Sequence, residues 1–429
     1  MNMEIRKITL LLIFLLITGC SLLKQEPKGK VYIKKIKIKK QSREDEQKYN
    51  YQLIVDKKPF IVKGVCYSPV PIGQQGILYN FVCDPKRPWL VDGKLMKEMG
   101  VNTIRLYHSG DELEFCRTMI EDLYKIYGIR TILGYTLGFW DYPPANYADP
   151  EFRKEITEKV LNTVEYFKDT PGILIWNLGN ENNYSFDGRI NPWSSDEIDA
   201  MDSFGKKRDA RAKIYYSFVN ELAKKIKEID PIHLVSLGNG ETVGLKIAAE
   251  NCPDIDLLGC IVYRGKVFGN FFKEVKRKFD RPVILTEFGC DAYNMVKKQE
   301  DQKNQAKFLK SQWLDIQNNM DGGEGVGNCL GGVVFEWNDE WWKSSESDRN
   351  SWWVHDNVAA WGMGSYDFDA KADKNMNEEW FGIVGLDPEL DANGLNKRNP
   401  RKAYYVLRKL WNKEYQDKEP EQDKETGKK

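Results

Sequence analysis

Apolar residues run through this chain in two alternating rhythms. Short, almost wholly apolar runs recur at FIVKGVCYSP, TIRLYH, RTILGYTL, GILIWNLG, HLVSLGN, LLGCIVY, PVILTEFG and GGVVFEWN, eight in all. A strand buried on both faces reads this way, because neither side of it meets water. Between the runs lie stretches whose apolar residues recur every three or four positions: GKLMKEMG, DELEFCRTMIEDLYKIYG, DPEFRKEITEKVLNTVEYFKD, AKIYYSFVNELAKKIKEI and NQAKFLKSQWLDIQ. A last one, PRKAYYVLRKLW, follows the eighth run. Parallel strands need crossovers, and helices supply them, so eight such units predict a closed (β/α)8 barrel of the α/β class over residues 50–412.

The ends follow other patterns. Arg6 and Lys7 precede the apolar run ITLLLIFLLI, which is too short to span a bilayer as a helix and has the form of a signal-peptide core. Residues 1–19 are therefore expected to be removed. The run ends in Ile17-Thr18-Gly19-Cys20, which resembles the bacterial lipobox, and the resemblance implies a diacylglycerol on Cys20 as the mature N-terminus. Several acyl chains on one residue anchor stably where one would be marginal. The chain would then sit in a bacterial cell envelope, facing periplasm or exterior, and Ser21 after the cysteine favours outer-membrane delivery. Residues 20–49 are rich in Lys, Gln and Glu and read as a tether, with VYIKKIKIKK as an accessory edge strand. Residues 413–429 carry almost no apolar side chain and read as a disordered charged tail.

Composition narrows the function. Hydrophobic residues make up 41% and charged residues 30% of the 429, and the formal net charge is zero, so nothing electrostatic points to nucleic acid. With Cys20 lipidated, seven cysteines remain, an odd number without CxxC spacing. That argues against a disulfide framework or a zinc site and leaves buried free thiols as the default. Asp367, Asp369 and Asp373 lack the glycine and spacing of an EF-hand loop, and His108, His233 and His355 are scattered. No metal and no cofactor is expected.

Chemistry gathers where the apolar runs stop. GILIWNLG leads into Asn180 and Glu181, and VILTEFG places Glu287 at the end of the seventh run. In a barrel both would stand at the C-terminal mouth, where active sites lie. Either carboxylate alone reads as a surface ion pair, but two across one mouth suggest glycoside hydrolysis, with one proton donor and one nucleophile or base. Arg105, in TIRLYH, would favour the ionised form of Glu287. Tyr263 would donate a hydrogen bond to the same carboxylate, Asn180 would contact a sugar 2-hydroxyl, and Trp337 would form a floor under the sugar. Seven of the thirteen tryptophans fall between residues 337 and 380. Some must pack a loop of that length, while Trp341 and Trp342, with Trp140 after the third run, are candidate stacking platforms.

Together, NLGNE at 177–181, TEFG at 286–289, Arg105, Tyr263 and Trp337 resemble clan A of the retaining glycoside hydrolases over roughly residues 58–412. The resemblance implies Glu181 as acid/base and Glu287 as nucleophile. GVCYSP and FEWNDEWWK look like the family 2 barrels and the fungal-type β-1,3-glucanosyltransferases. The jelly-roll domain that family 2 enzymes carry ahead of the barrel is not read here, which argues against an exo-acting galactosidase or glucuronidase. The expectation is a lipid-anchored retaining β-glycosidase acting on a β-glucan-like chain. A β-glucan transglycosylase with the same site is the alternative, and a catalytically inactive glycan-binding lipoprotein a third.

Overall fold

A computed structural model of the chain describes residues 31–38, 49–76, 79–139, 141, 143–294, 297–343, 349–355 and 376–415. The signal segment, Cys20, Trp140, the three aspartates of the 367–373 stretch and most of the charged tail lie outside the described residues. Eight parallel strands close a barrel in chain order: Val62–Cys66, Thr103–Leu106, Arg130–Tyr135, Ile173–Leu178, Leu234–Gly240, Leu257–Ile261, Val283–Gly289 and Cys329–Phe335. Each falls within or across one of the eight apolar runs. Helices Pro88–Met99, Leu113–Tyr127, Pro150–Phe167, Phe204–Ile229, Leu245–Asn251, Phe271–Lys278, Gln302–Asn318 and Lys402–Trp411 pack around the wall.

Two apolar layers hold this together. The larger lies between wall and helices, where Trp313 of one helix meets Trp411 of the last edge-to-face at 4.9 Å. The smaller fills the barrel and its N-terminal end. There Val31, Tyr51, Leu53 and Val55 pack on Leu174, Leu234, Leu257 and Ile284. They come from a three-stranded antiparallel sheet, β1 (Val31–Lys37), β2 (Tyr49–Val55) and β3 (Lys58–Phe60), which plugs the bottom of the barrel. The accessory strand VYIKKIK is thus one edge of that plug, with Val31 N donating to Ile232 O at 3.2 Å.

The run FIVKGVCYSP, expected as one strand, is split at Ile61 between the plug and the first barrel strand. Asn102 clamps that corner: its Nδ2 donates to Ile61 O at 2.8 Å and its Oδ1 accepts from Lys63 N at 2.9 Å. The described part of the segment after strand eight includes regular structure. It contains the antiparallel hairpin Val384–Leu390 with Asn396–Pro400, tied to the wall by Asp339 against Arg401 at 2.6 and 2.7 Å.

Candidate active site

Strand alternation turns Arg105 inward at the second strand, and Tyr107, two residues on, lies on the same side. Arg105 is 1% exposed and donates from Nη1 to Glu287 Oε1 at 2.7 Å and to Thr286 O at 3.0 Å. Its Nη2 donates to Asn180 Oδ1 at 2.6 Å, so one guanidinium joins strands two, four and seven. Tyr107 Oη donates to the same Glu287 Oε1 at 2.7 Å, with the Arg105 guanidinium over its ring at 4.4 Å. Tyr263 Oη donates to Glu287 Oε2 at 2.9 Å. Burial pushes both phenols well above the ordinary tyrosine range, with the Glu287 charge adding to it, so both remain donors. A buried carboxylate held by three charge-assisted hydrogen bonds is aimed as well as stabilised.

Glu181 is built differently. The fourth strand ends in a turn made by its asparagines. Asn182 Oδ1 accepts from Asn180 N at 2.6 Å, while its Nδ2 donates to Thr136 O and Tyr147 Oη at 2.9 and 2.7 Å. Asn183 spans to strand five, exchanging bonds of 2.8 and 2.7 Å with Gly240. Gly179 takes φ +88° against the Tyr215 hydroxyl, which a side chain there would strike at 2.4 Å. Glu181 itself adopts φ 63°, a left-handed conformation costing on the order of 1–3 kcal/mol for a residue with a side chain. Among the described residues its carboxyl has no hydrogen-bond partner. Its outer edge is accessible, yet protein surrounds most of it, and burial pushes its pKa up to about 8. The Glu287 charge and then Glu378 push the same way, while Arg105 and Lys343 oppose.

The structure therefore brings Arg105, Asn180, Glu181, Tyr263 and Glu287 together. It does not bring Trp337 to them. Trp337 is fully buried in the layer behind the wall, edge-to-face with Tyr404 at 6.3 Å, and so is no sugar floor. Strand alternation ends at Phe335, whose ring sits beside Tyr263 and Phe381 at 6.5 and 5.2 Å. Trp341 is also corrected: it stacks on His355 at 4.5 Å, and His355 stacks on Trp380 at 3.5 Å. With 9% exposure it is the core of its own loop. Trp342, partly exposed, packs its ring against Gly76, with the Lys343 ammonium at 5.6 Å.

Tyr107 was not singled out from the sequence, although it stands in TIRLYH two residues after Arg105, and period-two alternation is the signal that finds it. A second carboxyl group beside the site carried no such signal. Glu336 and Glu340 are buried with Lys343, whose ammonium lies 2.7 Å from Glu340 and 3.2 Å from Glu378. Burial first, and Glu340 next, push Glu336 well above the carboxylate range. The seven cysteines in described positions are all unpaired, six of them buried. His108 and His233 serve local contacts, to Gly110 N and Asp230, and among the described residues no cluster suits a metal ion.

Residues 50–323 match the family model described as Glycosyl hydrolases family 2, TIM barrel domain. Comparison with curated proteins finds no match. Among solved structures, a β-galacturonidase of Eisenbergiella tayi bound to galacturonate superposes with a TM-score of 0.51 at 16% identity, over 89% of this chain and 54% of that one. For β-glucuronidase 2 of Bacteroides uniformis, covalently bound to cyclophellitol-6-carboxylate aziridine, the values are 0.54, 14%, 85% and 38%. The β-D-glucuronidase of Dictyoglomus thermophilum gives 0.50, 15%, 84% and 52%. At such identities the likeness concerns the fold, and this chain spans about half the length of those proteins or less.

Proposed function

The chain belongs to the glycosyl hydrolases of family 2, in their TIM barrel domain, and from that premise we propose that it cleaves β-glycosides by double displacement. The observation that carries this reading is the contrast of two glutamates at one mouth. Glu287 is held by Arg105, Tyr107 and Tyr263, and Glu181, without a hydrogen-bond partner among the described residues, has a pKa pushed up to about 8. A fixed carboxylate suits the nucleophile, and a carboxyl that keeps its proton at neutral pH suits the acid.

In the first half, Glu287 attacks the anomeric carbon while Glu181 gives its proton to the departing oxygen. The C–O bond of the glycoside breaks as the glycosyl–Glu287 ester forms. That ester no longer carries the charge that helped raise Glu181, so Glu181 becomes the stronger acid and stays ionised. In the second half it takes a proton from water, the resulting hydroxide equivalent attacks the anomeric carbon, and Glu287 leaves as carboxylate. Asn180, with its oxygen tied to Arg105, is left to offer its amide NH2 to the sugar 2-hydroxyl.

For the substrate we propose a neutral, β-linked, glucan-like chain. Lys343, the ammonium that acts on Glu181, is already engaged by Glu340 and Glu378, so it offers little to an acidic sugar. Trp353, with 62% of its surface exposed on the loop after strand eight, is an aromatic face that a longer chain can use. The lipobox-like residues support anchoring in the envelope through Cys20.

The test is proton NMR of the first-formed anomer, with aryl β-glycosides and β-linked oligosaccharides as substrates. Retention is expected, and an inverted first product would overturn double displacement. Products longer than the input would assign the transglycosylase alternative. For the anchor, Cys20→Ala should release the protein from the membrane fraction.

A further inference from the structure

A leaving group departs past the acid, so the residues beyond Glu181 decide what it meets. The turn that carries Glu181 also carries Tyr184, whose backbone N donates to Glu181 O at 2.9 Å. Its half-buried ring lies on Gly240 at the end of strand five. A Cβ at 240 would stand 2.6 Å from ring atoms Cε2 and Cζ and 2.9 Å from the hydroxyl, so only glycine admits the ring there. The paired bonds between Asn183 and Gly240 fix the same two segments together. Among the described residues the Tyr184 hydroxyl has no hydrogen-bond partner. Burial first, then the charges of Glu181 and Glu241, keep it protonated.

Beyond the ring stands a second built feature. Glu241 takes φ 50° and directs its carboxylate onto Arg264, which follows Tyr263, with Nε 2.9 and 3.1 Å from the two oxygens. Arg264 Nη1 is fixed further by Asn270 Oδ1 at 3.0 Å and Phe268 O at 3.2 Å. The Cys260 thiol donates to Glu241 O at 3.2 Å, and, besides burial, Glu241, Arg264 and Glu181 act on it electrostatically. The pair keeps part of its surface open, at 15% for Arg264 and 26% for Glu241.

We infer that Tyr184, with the Glu241–Arg264 pair behind it, forms the subsite for the leaving group, and that its ligand is a hydroxyl-rich sugar ring and not an apolar aglycone. This rests on the assignment of Glu181 as acid and Glu287 as nucleophile. Tyr184 is a specificity residue: its ring offers a face, its hydroxyl a donor and an acceptor, and the ion pair beyond presents further polar atoms to sugar hydroxyls. A planar aryl leaving group would use the face alone.

The experiment compares two substrates that share the transferred sugar, a β-linked disaccharide and its 4-nitrophenyl β-glycoside, with wild type, Tyr184→Phe, Arg264→Gln and Glu287→Gln. Tyr184→Phe should lower kcat/KM on the disaccharide about fivefold, the scale of one hydrogen bond, and change the aryl glycoside less than about twofold. Arg264→Gln should show the same selectivity, and free sugar should become a poorer acceptor in both variants. Equal losses on both substrates, or no loss on the disaccharide, would overturn the subsite. Wild-type turnover of neither substrate, or turnover untouched by Glu287→Gln, would overturn the reading of the catalytic pair itself, and the subsite with it.

Discussion

The wall around Glu287 and the turn around Glu181 spend the same side chain in opposite ways. On the wall, donors from strands two and six converge on a carboxylate 7% exposed, and every contact favours negative charge there. On the turn, asparagines bind the backbone and the carboxyl has no hydrogen-bond partner among the described residues, so burial and the neighbouring charge of Glu287 keep a proton on it. In the proposed mechanism, one hydrogen-bonded environment and one without such partners among the described residues make a nucleophile and an acid from one residue type. What divides the roles is the partners each strand end brings.

Removing the wall's carboxylate is the most severe break. Glu287→Gln should lower kcat by more than about 10⁴-fold while thermal unfolding remains cooperative, since the amide keeps the shape but cannot form the ester. Residual turnover near wild type in a folded variant would end the comparison.

On the turn, Glu181→Gln should cost roughly 10²–10⁴-fold on substrates with poor leaving groups and far less on dinitrophenyl glycosides, which need no proton. Wild-type kcat/KM should fall as pH rises through about 8, because the acid must be protonated. Stability carries the same sign. The folded state keeps a proton that the unfolded chain releases above about 4.5, so this contribution is full below that pH and is lost as pH rises through about 8. Denaturant titrations of Glu181→Gln should lack that part of the slope.

Smaller changes grade the wall. Tyr263→Phe should reduce kcat/KM roughly 10- to 100-fold, the scale of a hydrogen bond to a charged group. Tyr107→Phe should reduce it less, because Arg105 shares Oε1 with Tyr107, whereas Tyr263 alone among the described residues serves Oε2. The reverse order, measured side by side, would mean the two oxygens are not used as the wall suggests. Smallest is Glu378→Gln. Its charge helps raise Glu181, opposed by Lys343 and Arg105, so the alkaline limb should move down by less than about one pH unit.

The strands and both glutamates were legible because burial on two faces writes itself as continuous apolar runs, and each run stops where the mouth begins. Arg105, Asn180 and Tyr263 were legible for the same reason, and Tyr107 was within reach of the same alternation. Trp337 was misread because inward alternation does not persist past Phe335, and nothing local in FEWND marks that end. Trp341 was misread because an aromatic run looks alike whether its rings meet a sugar or, as here, a histidine held by another tryptophan.

By itself the sequence determined the barrel, the order of its strands and the two positions where carboxylates face its mouth, since these follow from periodicity along a single segment. It did not determine which groups stand within hydrogen-bond reach of each carboxylate. Arg105 with Tyr107, Asn180, Tyr263 and Glu287 come from four stretches that only closure of the barrel juxtaposes, and the proton on Glu181 depends on burial and on the Glu287 charge, set against Arg105. Electrostatics at close range depends on distance through space, and the fold alone turns separation along the chain into that distance.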